Sequence, residues 1–402
     1  MEFQLFMYIC LDISRPINML YRQLSDYLRE DLKYYPIIGL TGPRQSGKTT
    51  LLKHMFPDFT YVSLEDPDQR YFASNDPSQF LKKFPARVII DEAQKVPSIF
   101  SYLQTYVDSK GQTGQYILSG SQNFHFMESI TQSLAGRISI QRLFPLDIDE
   151  LKHAKLLHED WESLVLKGAY PALYSKNIPS RKYYSNYLET YIKRDVSALR
   201  NVHDTKLFED FILLCASRTG QLLNLNNLAS ECGITFPTAK AWLSILETSY
   251  IIFLVHPYHE NFSKRVVKSS KLYFYDTGLA TFLLGIRDTN ELLKPVTRGM
   301  LFENFMVSEL IKRNYHKNQL RSFWFWRDSN GHEVDLLEKT ASGFDIFEIK
   351  STSTIMPDLI KGLGTFDRIT NGRVRTKTLI YSGDEDQDRT HFRVRSWKSS
   401  DI

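Results

Sequence analysis

Ile37-Ile38-Gly39-Leu40-Thr41-Gly42-Pro43-Arg44-Gln45-Ser46-Gly47-Lys48-Thr49-Thr50 carries the strongest local signal in the first third of the chain. An apolar strand-like run leads directly into the pattern G-x-x-x-x-G-K-T, and Thr50–Met55 continues with helical character. Glycines at both ends of such a loop let the backbone turn its N–H groups inward, toward an anion. The helix that follows adds unpaired N–H groups and the positive end of its dipole. In that arrangement Gly42, Pro43, Arg44, Gln45, Ser46, Gly47, Lys48, Thr49 and Thr50 cradle the phosphates of a nucleotide. Lys48 reaches the β/γ-phosphates and the Thr49 hydroxyl ligates Mg²⁺. The pattern therefore implies ATP and Mg²⁺ as cofactors.

Working outward, a nucleotide hydrolase needs a second apolar strand that ends in an acid. Arg87-Val88-Ile89-Ile90-Asp91-Glu92 supplies it, with Asp91 at the C-terminal end, where ligands of open α/β sheets bind. Asp91 is expected in the Mg²⁺ shell, and Glu92 is placed to polarise the attacking water. Gln115–Leu118 predicts a third strand running into Ser119-Gly120-Ser121. Ser121, with Ser119 as the alternate, is the candidate for orienting the γ-phosphate or the water. Arg137, in Ala135-Gly136-Arg137, is either an arginine finger acting across a subunit interface or a helix-end cation. The finger reading implies a homo-oligomer.

This set, with Leu134–Arg137 and Phe144-Pro145-Leu146, resembles prokaryotic AAA-type ATPases, which pair an AAA module with a C-terminal domain of unknown function. The resemblance runs from Met19 to Tyr381. It implies an α/β fold: a P-loop NTPase, AAA-like parallel sheet with helices on both faces. A helical and winged-helix region and a C-terminal α/β restriction-endonuclease-like domain are expected to follow. The boundaries read as an N-terminal extension 1–18, an AAA-type ATPase domain 19–145, a helical lid or linker 146–218, a winged helix 219–285 and a nuclease-like domain 296–390. Met19 is taken as the start of the first amphipathic helix, on Leu20, Leu24, Tyr27 and Leu28.

In the middle, Tyr183, Tyr184, Tyr187 and Tyr191 fall on one helical face and read as core. Asn224–Glu231, the turn Cys232-Gly233-Ile234 and a second helix capped by Thr235 with Pro237 in its first turn have helix-turn-helix spacing. Tyr250–Val255 and Phe262–Phe274 then predict a wing. Lys264, Arg265, Lys268 and Lys271 make the latter segment the local basic patch where DNA or RNA phosphates are expected to dock.

Near the C-terminus, Gly299–Arg313 predicts a helix carrying Glu303 and Glu309, which at a six-residue separation stand on different faces. Gly331–Leu337 and Asp345–Lys350 alternate as strands, placing Glu333 with Asp335 and Glu348 with Lys350. Val334, Leu336, Phe347 and Ile349 are expected on the opposite, core face. Asp335 followed by Glu348-x-Lys350 resembles the PD-(D/E)XK nuclease core. That resemblance implies Asp335, Glu348 and the helix acid Glu303 as ligands of Mg²⁺ or Mn²⁺. Lys350 is then the catalytic cation, and Arg327 is a candidate phosphate contact. Such cores also serve as docking or binding platforms without cleaving.

Composition narrows the classes. The 402 residues are 42% hydrophobic and 24% charged, which is globular and excludes a low-complexity or disordered chain. Fifty Lys and Arg against 46 Asp and Glu leave a net charge of only +4, so any grip on nucleic acid has to be a local patch. Three scattered cysteines exclude a disulfide framework and a cysteine-rich zinc site, and point to a reducing, cytoplasmic setting. No run is apolar enough for a membrane span, so a membrane partner is not expected.

Overall fold

The computed structural model describes residues 19–121, 130, 132–196, 204–259 and 268–402. The expected extension 1–18, and Lys264 and Arg265 of the expected wing, lie outside the described residues.

Five strands form a wholly parallel sheet: β1 (Ile37–Thr41), β2 (Thr60–Ser63), β3 (Val88–Asp91), β4 (Tyr116–Gly120) and β5 (Ile138–Arg142), in the order β2-β3-β4-β1-β5. β1, β3 and β4 are buried along their whole length, because helices cover both faces of the sheet. On one face Leu24 and Leu28 of the helix Leu24–Tyr34 pack with Leu51, Leu52, Ile38 and Ile89. On the other, Phe80, Ile99, Phe100 and Leu103 close over Ile37, Val88, Ile90 and Leu118. Parallel strands bring their C-terminal ends to one edge, so Thr41, Asp91 and Gly120 end side by side.

The helix expected to open at Met19 begins at Leu24. Arg22 and Gln23 are held instead by Glu150, and Met19 and Leu20 line the nucleotide-side cavity.

Eight further strands make one mixed sheet. They are β6 (Ile252–Pro257), β7 (Lys271–Phe274), β8 (Phe323–Arg327), β9 (Glu333–Thr340), β10 (Gly343–Lys350), β11 (Val374–Tyr381), β12 (Gln387–Asp388) and β13 (Arg393–Ser396). Their order is β12-β13-β11-β10-β9-β8-β6-β7. The two strands expected to form a separate wing thus extend the C-terminal sheet: β6 pairs parallel to β8 through His256–Trp324 and Pro257–Phe325. Helices Leu225–Cys232 and Phe236–Thr248 precede them, with Gly233 at a left-handed C-cap and the Thr235 side chain capping the second.

The long helix Pro295–His316 covers one face of this sheet and the helix Lys361–Ile369 the other. Both faces are therefore apolar, which corrects the single core face expected for β9 and β10. Leu336, Phe347 and Ile349 pack with Phe302 and Phe305, whereas Val334 joins Leu337, Ile346 and Phe366 on the far side. Tyr183, Tyr184, Tyr187 and Tyr191 are buried in the first of these clusters, as expected of core. Among the described residues no helix is long and apolar enough to cross a membrane.

Candidate functional site

The phosphate loop joins β1 to the helix Lys48–Met55, whose N-cap is Gly47 at φ 95°. Gly42 has φ 144°, and a Cβ there would sit 2.1 Å from the Leu143 carbonyl oxygen, so no other residue fits. The loop is closed on itself. Lys48 Nζ donates to the carbonyls of Gly42 (2.9 Å) and Pro43 (2.8 Å). Burial lowers the Lys48 ammonium to about 8, against the pull of Glu92 and Asp91. Ser46 Oγ is buried with no hydrogen-bond partner, and Arg44 lies 3.4 Å from Glu65. Gln45 takes a positive φ of 64°, and Thr50 follows on the helix.

The two acids behave differently. Asp91 is fully engaged: Oδ2 accepts from Thr49 Oγ1 (2.8 Å) and from Tyr61 Oη (2.7 Å), and Oδ1 accepts from Ser119 Oγ. Glu92 sits in the left-handed region at φ 54°, a strained conformation for a non-glycine residue. Its Oε2 accepts from Ser121 Oγ (3.1 Å) and from Gln94. Ser121 thus meets the water-activating candidate, while the alternate Ser119 meets the metal candidate. Thr49 and Asp91 present hard oxygens side by side, a donor set that fits Mg²⁺.

A cavity of about 710 Å³ opens over this loop. Lys48, Thr49 and Glu92 line its floor, Met19 and Leu20 one wall, and Pro171, Lys176, Tyr183 and Asn186 the other. The helical segment after the parallel sheet therefore roofs the nucleotide site, which the motif alone did not indicate.

Arg137 lies elsewhere. Its carbonyl accepts from Ile37 N, at the start of β1 and so at the opposite edge of the sheet from the phosphate loop. The guanidinium is paired bidentately with Asp108, at 2.6 and 2.7 Å, on the surface. It takes no part in its own chain's site.

Sequence reasoning missed a buried network behind the loop. Arg22 donates to the Ser46 carbonyl in the phosphate loop (2.8 Å), to the Phe144 carbonyl (2.5 Å) and to Glu150 Oε2 (3.0 Å). Glu150 and Asp147 form a capping box on the helix Ile148–His153. His316, the last residue of the long helix, places Nδ1 2.7 Å from Asp147 Oδ2 while its Nε2 accepts from Phe144 N (3.2 Å). Asp147 is buried, yet His316, Arg313 and the backbone hold its carboxyl below the usual range. Asp147, Glu150 and His316 have ligand-type spacing. Both ring nitrogens of His316 and the Glu150 carboxylate are already taken by protein partners, however, so the set reads as a structural joint.

The C-terminal residues also come together. Glu303 on the long helix, Glu333 and Asp335 on β9, and Glu348 and Lys350 on β10 converge. Lys350 Nζ lies 3.2 Å from Asp335 Oδ2 and 2.5 Å from Glu348 Oε1. Asp335 Oδ2 also accepts from Ile349 N (2.8 Å). Burial opposes ionisation of Asp335, but Lys350 and Lys271 outweigh it and keep its carboxyl acidic. Burial and the neighbouring Asp335 push Glu348 up to about 8.

Lys271 corrects the basic wing. It is 2% exposed, with its ammonium turned inward onto Glu303 (2.8 Å), Glu333 and Asp335 (3.9 Å), because β7 lies in the sheet. It is not available to a phosphate, whereas Lys268 is exposed. Arg327 is likewise paired, with Glu333 at 3.1 Å.

Comparison with known proteins gives one clear match at the nucleotide site: residues 34–152 match the AAA domain. Residues 34–152 thus form an AAA-type domain with a P-loop, which supports ATP binding. Residues 158–290 and 298–398 match two domains of unknown function, DUF8612 and DUF4143. Uncharacterised proteins of Mycobacterium tuberculosis and Mycobacterium bovis are 29% identical over 338 residues, covering 83% of this chain and 74% of each relative. Among solved structures, the Walker-type ATPase of Pyrococcus abyssi aligns over 67% of this chain and 97% of its own, at 17% identity and a TM-score of 0.42. The RuvB Holliday junction branch migration motor of Thermotoga maritima aligns over 57% and 88%, at 17% identity and a TM-score of 0.30.

Proposed function

We propose that the protein is a Mg²⁺-dependent ATP hydrolase whose nucleotide state is passed from the phosphate loop to the C-terminal sheet. The observation that carries this reading is Arg22, which ties a phosphate-loop carbonyl to the Glu150–Asp147–His316 joint at the end of the helix Pro295–His316.

Binding begins when Lys48 leaves the Gly42 and Pro43 carbonyls for the β/γ-phosphates, which restores a full charge to a partly neutralised ammonium. Thr49 and Asp91 would hold Mg²⁺, whose role is to neutralise charge developing on the phosphates. Glu92, fixed by Ser121 and Gln94, accepts the proton side of the attacking water and aligns it in line with the leaving group. The loop rearranges as Lys48 moves, and Ser46 lies inside it, so Arg22 feels the change. The long helix carries that change toward Glu303, near the middle of the same element.

In this proposal the output is contact with nucleic acid, met by the remaining wing cations Lys264, Arg265 and Lys268. Arg137 exchanges Asp108 for a neighbour's γ-phosphate in a homo-oligomer. The test is ATP turnover in wild type, Lys48→Ala and Glu92→Gln, alongside amide exchange across 295–316 in ADP and in a non-hydrolysable ATP analogue. Turnover that survives Glu92→Gln, or exchange identical in the two nucleotides, would count against the reading. Nucleic-acid binding at low salt with each nucleotide checks the output limb.

A further inference from the structure

The carboxylate cluster of the C-terminal sheet invites a divalent ion by its residue types, but its oxygens are largely taken by cations of the chain, with Glu348 Oε2 buried and without a hydrogen-bond partner. A divalent site needs several carboxylate oxygens turned onto one point, with their lone pairs free. Both oxygens of Asp335 already face ammonium groups: Lys350 lies 3.2 Å from Oδ2, and Lys271 lies 3.9 Å from Oδ1. Glu303 Oε1 accepts from Lys271 (2.8 Å) and from Tyr273 Oη (2.7 Å), and Glu333 is paired with both Lys271 and Arg327. Among the described residues, Glu303, Asp335 and Glu348 do not gather their ligand atoms within 4.8 Å of one another, as Asp147, Glu150 and His316 do.

We infer that Lys271 is a built-in cation of this cluster, an ammonium held on β7 that fills the space between Glu303, Glu333 and Asp335 and excludes a metal ion. The placement follows from topology. β7 is the edge strand of the eight-stranded sheet, and its first residue sends a long side chain under the sheet toward the helix that bears Glu303. Four acids, Glu303, Glu333, Asp335 and Glu348, then face three cations, Lys271, Arg327 and Lys350. A 2+ ion in their midst would meet a nearly neutral cluster and would have to expel a buried ammonium. The C-terminal unit accordingly keeps its acids together without metal and does not cleave phosphodiesters. This inference is independent of the ATPase reading, and its test uses protein free of nucleotide.

The experiment is Mn²⁺ titration of the full chain, followed by the electron paramagnetic resonance signal of free Mn²⁺. It runs in wild type, Asp335→Asn, Lys271→Met and the double variant Lys271→Met/Asp335→Asn. Wild type and Asp335→Asn are expected to bind identically, since any weak binding at Asp91 is common to both. Lys271→Met is expected to gain one site at least tenfold tighter than any wild-type site, and the double variant to lose it. A wild-type Mn²⁺ site that vanishes in Asp335→Asn overturns the inference. So does a folded Lys271→Met protein that gains nothing. Should Lys271→Met fail to fold, the comparison of wild type with Asp335→Asn still decides. Plasmid incubated with wild type in Mg²⁺ or Mn²⁺ is expected to stay intact, and cleavage lost in Asp335→Asn would also overturn it.

Discussion

Replacing Arg22 by Met is the sharpest way to ask whether the phosphate loop and the C-terminal sheet are joined through one side chain. The guanidinium and the Glu150 carboxylate are 4% and 0% exposed, so neither is paired in water. Methionine keeps most of the side-chain volume but removes three donors: those to Glu150, Ser46 O and Phe144 O. Removing one partner of a buried pair costs about 3–5 kcal/mol, because the other charge is left uncompensated. Glu150 retains Gln23 N (2.9 Å) and its own capping-box amide (3.3 Å), which argues for the lower half of that range.

The expected loss for Arg22→Met is therefore about 3 kcal/mol, read by urea titration of the transition that includes the N-terminal unit. Glu150→Met removes the partner and the cap and should cost a similar amount. In the double variant neither charge is stranded, so its loss should fall short of the summed single losses by about 1–3 kcal/mol. The functional readout is separate: nucleotide-dependent amide exchange at 310–316 should disappear in Arg22→Met at a temperature where the variant is folded. Strict additivity, or exchange at the helix end that still responds to nucleotide, would refute the argument that Arg22 is the link.

Glu92→Gln should lower turnover about 10²–10⁴-fold while ATP affinity stays within a few-fold, since Glu92 touches water and not phosphate; rapid-quench kinetics with equilibrium binding separates the two. ATP affinity should weaken above pH 8: the Lys48 pKa is lowered to about 8 in the free protein, the ammonium is lost as pH rises through it, and the limiting slope is about tenfold per pH unit. A flat profile between pH 8 and 9.5 would show that Lys48 stays charged. Arg137→Ala should reduce turnover with little change in ATP affinity or stability, because its pair with Asp108 lies on the surface, where water and salt screen it; turnover unchanged across protein concentrations would remove the finger role. Gly278→Ala should destabilise by about 1–3 kcal/mol or more, as its Cβ would lie 2.4 Å from Tyr184 Oη and 2.7 Å from Gly168 Cα; a normal melting temperature would show that the Tyr184–Asp276 contact can shift.

What the sequence disclosed follows from the range of the interactions involved. The phosphate loop, β3 with its acids, and β4 are legible because each is a local pattern: an apolar run ending at a polar residue, and glycines where the backbone demands them. The cap at Thr235 is local in the same sense. β2 and β5 escaped because they are the edges of the sheet and only partly buried, so they lack a continuous apolar run. The start of the helix expected at Met19 was misplaced for a different reason. Leu20 has the right spacing for that helix, but Gln23 N bonds Glu150, 127 residues away, and that contact sets where the helix can begin.

Long range also hid the inward position of Lys271. Lys271 sits in a stretch with four cations and no acid, and every local rule reads such a stretch as a solvated, phosphate-facing surface. Its neutralising acids lie 32 residues away on a helix and more than 60 residues away across a sheet. The long helix packed on β7 brings the first under it, and the pairing of β6 with β8 brings the others. A buried lysine demands compensation, so its inward position could have been inferred only by first knowing that β7 belongs to the sheet with β9 and β10. The acids were read as metal ligands from their resemblance to the PD-(D/E)XK core. A cation beside these acids is sound physics, and in the inference drawn above it is Lys271, supplied by the chain itself.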